Sequence, residues 1–350
     1  MSANNSFKPK VSIIIPVYNG ANFLTQAIDS ALAQTYNNFE VLVINDGSSD
    51  AGETEKIATS YGDQVHYYKK SNGGVASALN LAIDKMSGEF FSWLSHDDLY
   101  ENEKIMRQIE ALSCMPNTER GKAVFYSDYY VFSNDKEKTI PKLMRGVPHE
   151  EFRYWLTIEN ALHGCTILVP KAALIEYGGF NERLETTQDY DLWFRMAEKY
   201  NFIHLPECLI KARCHSEQGS RKLSELAHVE CDTLFLGFVE KLTSDELLRS
   251  SHQVLEVAYA RIGASMQYRG YFNAGRLAIH LSIKNFRHST LRTIVLVGSI
   301  ISKSIIKRYI VKSIWRLLSP NGRLTIRSWI VQRKVPVAPY PSASRNKTIK

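Results

Sequence analysis

"GEFFSWLSHDDLY", residues 88–100, opens like a buried strand and ends in a histidine and two adjacent aspartates. Adjacent carboxylates repel, so a strand that delivers both to its own tip implies a positive partner there. Upstream, "VSIIIPVYN" (11–19) and "FEVLVINDGSSD" (39–50) are continuous apolar runs that also end in polar residues. Runs without polar alternation suit parallel strands covered on both faces. Between them, Phe23, Leu24, Ala27, Ile28, Ala31 and Leu32 carry helical spacing over 22–34. "VHYYKKS" (65–71) reads as a third strand, "GGVASALNLAIDKM" (73–86) as a helix, and 88–95 as the fourth strand. This alternation predicts an α/β fold, a mostly parallel sheet flanked by helices.

Open sheets of this kind bind ligands beyond the C-terminal ends of their strands. Tyr18-Asn19, Asn45 to Ser48, and His96-Asp97-Asp98 all stand at such ends and should share one crevice. No GxGxxG follows the first strand and no P-loop is present, so the pattern is not that of a dinucleotide or ATP cradle. Paired aspartates suit a hard divalent cation, Mn2+ or Mg2+, bridging a diphosphate. The plainer alternative is that Asp97-Asp98 caps the following helix.

Further on, the sequence predicts a helix over 101–113, strands near 122–132, a polar loop over 133–149 and a helix over 151–158. "HGCTILVP" (163–170) reads as another short strand, and an amphipathic helix with Leu192, Trp193, Met196 and Ala197 inward starts near 188. "FIHLPECLIKARCH" (202–215) reads as one or two strands, and helical patterning follows from about 221. Trp93 and Trp193 read as core aromatics.

The net charge of +7 conceals a division. Residues 1–256 hold 25 Lys and Arg against all 36 Asp and Glu, a net of −11, while 257–350 hold 18 Lys and Arg and no acid. The acidic body disfavours a nucleic-acid-binding core, and the tail lacks the aromatic-basic alternation of single-strand binders. An acid-free, basic and apolar stretch over 285–335 is expected to lie on an anionic membrane surface. Its uncharged run, 293–302, is about half of the ~20 residues a bilayer span requires. Lys303 and Lys307 fall on one side, with Arg308, Lys312 and Arg316 roughly opposite, so packing onto the body or a partner is the competing reading. MSANNSFKPK has no apolar h-region, and five cysteines form no CxxC pair; these predict a cytoplasmic, reduced chain, which the basic stretch would make peripheral at the inner face of the cell membrane.

Four segments in order, "VSIIIPVYNG", "FEVLVINDGSSD", "GEFFSWLSHDDLY" and "TTQDYDLWFR", resemble family 2 glycosyltransferases of the bacterial surface-polysaccharide type. The resemblance covers about 10–220. It implies a GT-A fold with a nucleotide-binding half (about 11–100) and an acceptor half (about 101–220). A helical basic region (221–335) follows, between an N-terminal tail (1–10) and a flexible C-terminal one (336–350). It implies an inverting transfer from a UDP- or dTDP-linked nucleotide diphosphate sugar to a saccharide or lipid-linked oligosaccharide acceptor. On the matching positions, Pro16 and Tyr18 would line the base, Asp46 would read its edge, Asp97 would meet the ribose and Asp98 would hold metal. Asp189 would be the general base, taking the proton of the attacking hydroxyl. His215, in "ARCHSEQGS" (212–220), is a candidate for metal or phosphate, and His163 for the acceptor site; a structural histidine is the alternative for both. The chain departs from the pattern at Ser95, Gln188 and Ala78, where many members carry Asp, Glu and Arg. Those departures motivate the competing reading, a catalytically silent nucleotide-sugar-binding or assembly subunit.

Overall fold

The computed structural model describes residues 7–317 apart from 134–136, 160–161, 216–217, 219–222 and 252–253. Strand β1 (Val11–Val17) is buried at all seven positions, which is why its sequence shows no alternation. It pairs in parallel with β2 (Phe39–Asn45) on one side and β4 (Phe90–Trp93) on the other, Val11 standing opposite both Phe39 and Phe90. β3 (His66–Lys69) adds outside β2 in parallel, giving the order β3-β2-β1-β4-β8. Helix α1 (Leu24–Leu32) buries Leu24, Ala27, Ile28 and Ala31, the face its spacing predicted. α2 (Glu53–Thr59) and α3 (Gly74–Lys85) complete the nucleotide-side half.

A second sheet, in the order β5-β9-β6-β7, carries the rest of the site. β5 is only Leu99–Tyr100 and pairs antiparallel with β9 (Asn201–Arg213). Asp97 and Asp98 therefore do not cap a helix: α4 (Lys104–Ser113) starts after the strand that the aspartates lead into. After the short α5 (Asn117–Arg120), β6 (Ala123–Phe132) runs parallel to β9 with register shifts after Ser127. The expected polar loop at 133–149 contains a short strand, β7 (Ile140–Lys142), antiparallel to β6.

After α6 (Phe152–Glu159), the apolar run 163–170 is not the single strand expected. Thr166 donates both its N–H (2.9 Å) and its hydroxyl (2.7 Å) to the His163 carbonyl, which winds Gly164–Thr166 into a 3-10 turn. Only β8 (Val169–Pro170) joins the first sheet, antiparallel to β4. Leu168 exchanges backbone hydrogen bonds with Phe125 of β6 (3.0 and 2.9 Å), tying the two sheets together.

α7 (Lys171–Glu176) and α8 (Gln188–Met196) follow, then, among the described residues, five helices: α9 (Ser224–Lys241), α10 (Ser244–Ser251), α11 (Leu255–Arg269), α12 (Phe272–Lys284) and α13 (Leu291–Leu317). These are packed into the body. Phe238 of α9 stacks on Phe194 of α8 at 3.8 Å between ring centroids, and Ile262 and Met266 of α11 belong to the main core. α13 seats Val297 against Val257 and Ala260 of α11, and Arg308 lies over Phe272 while donating to the Gln267 carbonyl. Arg308 thus faces protein, and Lys307 also lies over the Tyr268 ring, 4.9 Å from its centroid. Leu291, Ile294, Val295 and Ile306 remain exposed. Among the described residues no helix is long and apolar enough to cross a membrane. Residues 318–335 of the stretch expected on a membrane, and the tail 336–350, lie outside the described residues.

Candidate active site

The three polar strand ends meet. Asn19, left-handed at φ 49°, donates its N–H to the Ser48 hydroxyl oxygen (2.9 Å) and accepts the Ser49 N–H on Oδ1 (2.7 Å). The turn after β1 also presses on the end of β4: a Cβ at Gly20 would stand 2.5 Å from the His96 ring, so only glycine fits there. Tyr18, 47% exposed, presents an open ring at this mouth, whereas Pro16 is buried within β1. Asp46 is buried and fully engaged. Its Oδ1 takes Lys70 Nζ (2.8 Å) and Gly73 N (3.0 Å), and its Oδ2 takes Gly74 N (2.8 Å). The carboxylate thereby fixes the loop leading into α3, where a negative charge at a helix N-terminus is favoured. Three donors already share this carboxylate, so a base edge would add a fourth.

Asp97 and Asp98 leave β4 in different directions. Asp98 is buried: Oδ1 accepts the Arg213 backbone N–H (2.8 Å) at the end of β9, and Oδ2 lies 3.5 Å from Cys165 Sγ and 3.8 Å from His163 Nε2. Burial, and then the charge of Asp97, push its carboxyl above the usual range. Asp97 Oδ2 pairs with His215 Nε2 at 2.9 Å. His215 therefore meets Asp97, while Asp98's imidazole neighbour is His163. Arg213 donates from Nε to the Asp97 carbonyl (2.8 Å) and from Nη2 to Gln26 (3.0 Å), its guanidinium sandwiched over Phe23 and Phe132. It holds the backbone of the pair, and its positive charge also favours the ionised form of Asp98.

Asp98, His163 and Cys165 bring three possible metal-ligand atoms within 4.8 Å of one another. His163 Nδ1 accepts the Cys165 N–H (3.3 Å), which puts its own proton on Nε2, facing Asp98. Burial pushes His163 down to about 4, keeping it neutral, and burial with the nearby Asp98 charge holds the Cys165 thiol protonated. Within the trio the Cys165 thiol donates to Asp98, and the neutral His163 ring lies beside the same oxygen at 3.8 Å. The two carboxylates, by contrast, share one strand end, and among the described residues neither forms an ion pair with Lys or Arg; with His215 adjacent, this oxygen-rich donor set with one imidazole fits a hard divalent cation.

Asp189 occupies the first turn of α8, half-buried, its Oδ1 accepting the Tyr190 N–H (2.9 Å). Desolvation pushes its carboxyl up to about 6. The next residue ties it toward the aspartates: Tyr190 Oη bonds both N–H and carbonyl of Leu162 (3.1 and 2.9 Å), and the His163 ring packs on Tyr129 at 4.9 Å. Asp191 instead pairs with Arg195 (2.8 Å), which donates onward to the Tyr177 and Gly179 carbonyls. Sequence reasoning missed Lys70, Cys165 and the structural part of Arg213. No local pattern marks them; each acts across a fold contact.

Comparison with known proteins agrees with this architecture. Residues 12–178 match the family described as Glycosyl transferase family 2. The chain is 40% identical over 287 residues to an uncharacterised glycosyltransferase of Rickettsia typhi, covering 80% of this chain and 87% of that one. It is 46% identical over 250 residues to one of Rickettsia felis, but there the match spans 70% of this chain and only 40% of the relative. Among solved structures, the mannosyltransferase PcManGT of Pyrobaculum calidifontis, in complex with GDP-Man and Mn2+, superposes with a TM-score of 0.54 at 16% identity, over 89% of this chain and 84% of that one. S. aureus TarS 1–349 in complex with UDP-GlcNAc gives 0.51 at 17% identity, over 79% and 92%. The ordered strand-end clusters, the two tied sheets and these likenesses lead to one conclusion: the chain belongs to glycosyltransferase family 2 and has the GT-A fold.

Proposed function

We propose that this chain is an inverting glycosyltransferase. It moves a sugar from a nucleoside diphosphate sugar, UDP- or dTDP-linked, to a saccharide acceptor, lipid-linked in cell-surface polysaccharide assembly. The carrying observation is the meeting of Asp97-Asp98 with the Arg213–His215 end of β9. Fold neighbours solved with UDP-GlcNAc, or with GDP-Man and Mn2+, support a nucleotide sugar as donor and a divalent ion beside it.

Tyr18 offers a face for the base, with Pro16 backing it. Asp46 shapes the 70–74 loop around the nucleotide, and Asp97 faces the ribose. Asp98, with His215 by way of Asp97, would hold Mn2+ or Mg2+, which when bound neutralises the leaving diphosphate. His163 lines the acceptor side as a neutral donor. Asp189 takes the proton from the acceptor hydroxyl as that oxygen attacks the anomeric carbon. The sugar–phosphate C–O bond breaks with its electron pair leaving on the diphosphate oxygen. A base raised to about 6 is still ionised at neutral pH and more basic than an ordinary aspartate, which suits this task. The exposed apolar side of α13, with Lys303 and Lys307, would rest on an anionic membrane.

The test is thermal-shift binding of a nucleoside diphosphate panel, with and without Mn2+, on wild type and Asp98→Asn. Stabilisation by one nucleotide that needs Mn2+ and is lost in the variant is expected. A well-folded protein stabilised by none would turn the reading toward a silent assembly subunit.

A further inference from the structure

The loop that delivers Asp189 is held from outside the acceptor half. Residues 181–187 lie between Phe180 and α8 without a strand ladder. One carboxylate on α9 gathers their end: Glu230 Oε1 accepts the Glu185 N–H (2.9 Å), and Oε2 accepts the Thr186 N–H (2.9 Å), the Thr186 hydroxyl (2.6 Å) and the Thr187 hydroxyl (3.3 Å). Thr187 is the N-cap of α8, yet its hydroxyl caps nothing and points to Glu230 instead. A local cap has been exchanged for a distant one. Burial would raise Glu230, but the bonds from Thr186, Glu185 and Thr187 outweigh it and keep the carboxyl below its usual range.

α9 is itself fixed at both ends of this contact. Phe238 stacks on Phe194 within α8. Asp232 accepts the N–H groups of Asn273 (3.1 Å) and Ala274 (2.9 Å) at the start of α12, and His228 Nε2 lies 3.1 Å from the Gly270 carbonyl. The helix is a splint, pinned to α8 and to the α11–α12 turn, with Glu230 facing the loop two residues before the base.

We infer that Glu230 is a positioning residue for the transfer step: its carboxylate sets the 185–187 loop and the entry of α8, and so the placement of the Asp189 carboxylate toward the acceptor hydroxyl. This rests on Asp189 being the base. On this view the C-terminal helices complete the acceptor side of the site, in addition to any surface they offer elsewhere.

The experiment uses the full chain as wild type, Glu230→Gln, Thr186→Val and Asp189→Asn. Gln keeps the shape of Glu230 but presents one acceptor oxygen where four donors converge. Hydrogen exchange followed by mass spectrometry should show faster exchange at 185–187 in Glu230→Gln, on the order of tenfold for a lost charge-assisted bond, with 70–74 unchanged. With a UDP-hexose panel and methyl glycosides as acceptors, kcat should fall ~10- to 100-fold while KM for the donor stays within about twofold, since small misplacement of a reacting group costs rate and spares donor binding. Thr186→Val removes one donor and should show a smaller change of the same kind, and it serves if Glu230→Gln does not fold. Unchanged exchange at 185–187 overturns the proposal, as does wild-type kcat in Glu230→Gln where Asp189→Asn is inactive. Wild-type turnover by Asp189→Asn would instead sink the base assignment, and the exchange result would still decide the clasp.

Discussion

Replacing Asp189 with Asn should abolish transfer and, at neutral pH, make the protein harder to unfold. The folded carboxyl titrates at about 6 against an ordinary 3.8 because it is desolvated. A folded-state value raised above the unfolded one means that the folded state holds its proton longer. The resulting destabilisation is absent at low pH, grows as pH rises from about 4, and is complete above about 6. Two pKa units correspond to ~3 kcal/mol, which partial opening to the crevice cuts to roughly half. The shift already includes the favourable place of the charge at the α8 N-terminus, so the net gain for Asn is ~1 kcal/mol. Urea unfolding of wild type and Asp189→Asn at pH 8 and pH 4 tests this, with the slope m used to convert midpoints to free energies. The variant should be more stable by ~1 kcal/mol at pH 8 and indistinguishable at pH 4. Equal stability at both pH values, or the same offset at both, would refute the reasoning.

Two further outcomes are expected. Lys104 is fully buried, donating to Ser92 (2.7 Å), Gln108 (3.1 Å) and the Ile167 carbonyl (3.2 Å), and burial lowers it to about 7. Its folded value lies below the unfolded one, so wild type should gain stability between pH 7 and pH 10 relative to Lys104→Met; parallel urea midpoints across that range would contradict it. For α13, co-sedimentation with phosphatidylglycerol vesicles should exceed that with phosphatidylcholine and drop ~10-fold or more in Lys303→Ala/Lys307→Ala, at about 1 kcal/mol per basic residue near the surface. Equal recovery on both lipids would remove the membrane from the proposal.

The first sheet was legible because β1, β2 and β4 are predominantly apolar runs, each followed by a polar cluster, and the sheet sets these three strands side by side. The motif placed Asp189 at a helix start, and the helix does begin at Gln188. The second sheet was harder. β5 is two residues long, and it exists because β9 offers Lys211 and Ile210 as partners. "TILV" carries strand composition, yet the His163 carbonyl captures Thr166 and spends half the run on a turn. Asp46 is a polar residue at a strand end, as expected, but no one-dimensional pattern could show that Lys70, Gly73 and Gly74 occupy both its oxygens. Glu230 looks like any surface glutamate of a helix. Only the fold brings it to a loop some 45 residues away.

The bond between Arg213 and Asp98 joins positions 115 residues apart, and His215 meets Asp97 across 118. On a ribosome this has a temporal meaning. β1 to β4 can pair as soon as residues 11–93 emerge, whereas the partners of the acidic pair follow roughly 6 to 23 s later at ordinary synthesis rates. Until then two like charges stand at the tip of a finished half-sheet, solvated and apart. The arrival of β9 withdraws Asp98 from water and clamps Asp97 in one event. The nascent chain thus acquires its nucleotide half early and its reactive geometry late, and the step that closes the second sheet is the step that assembles the site.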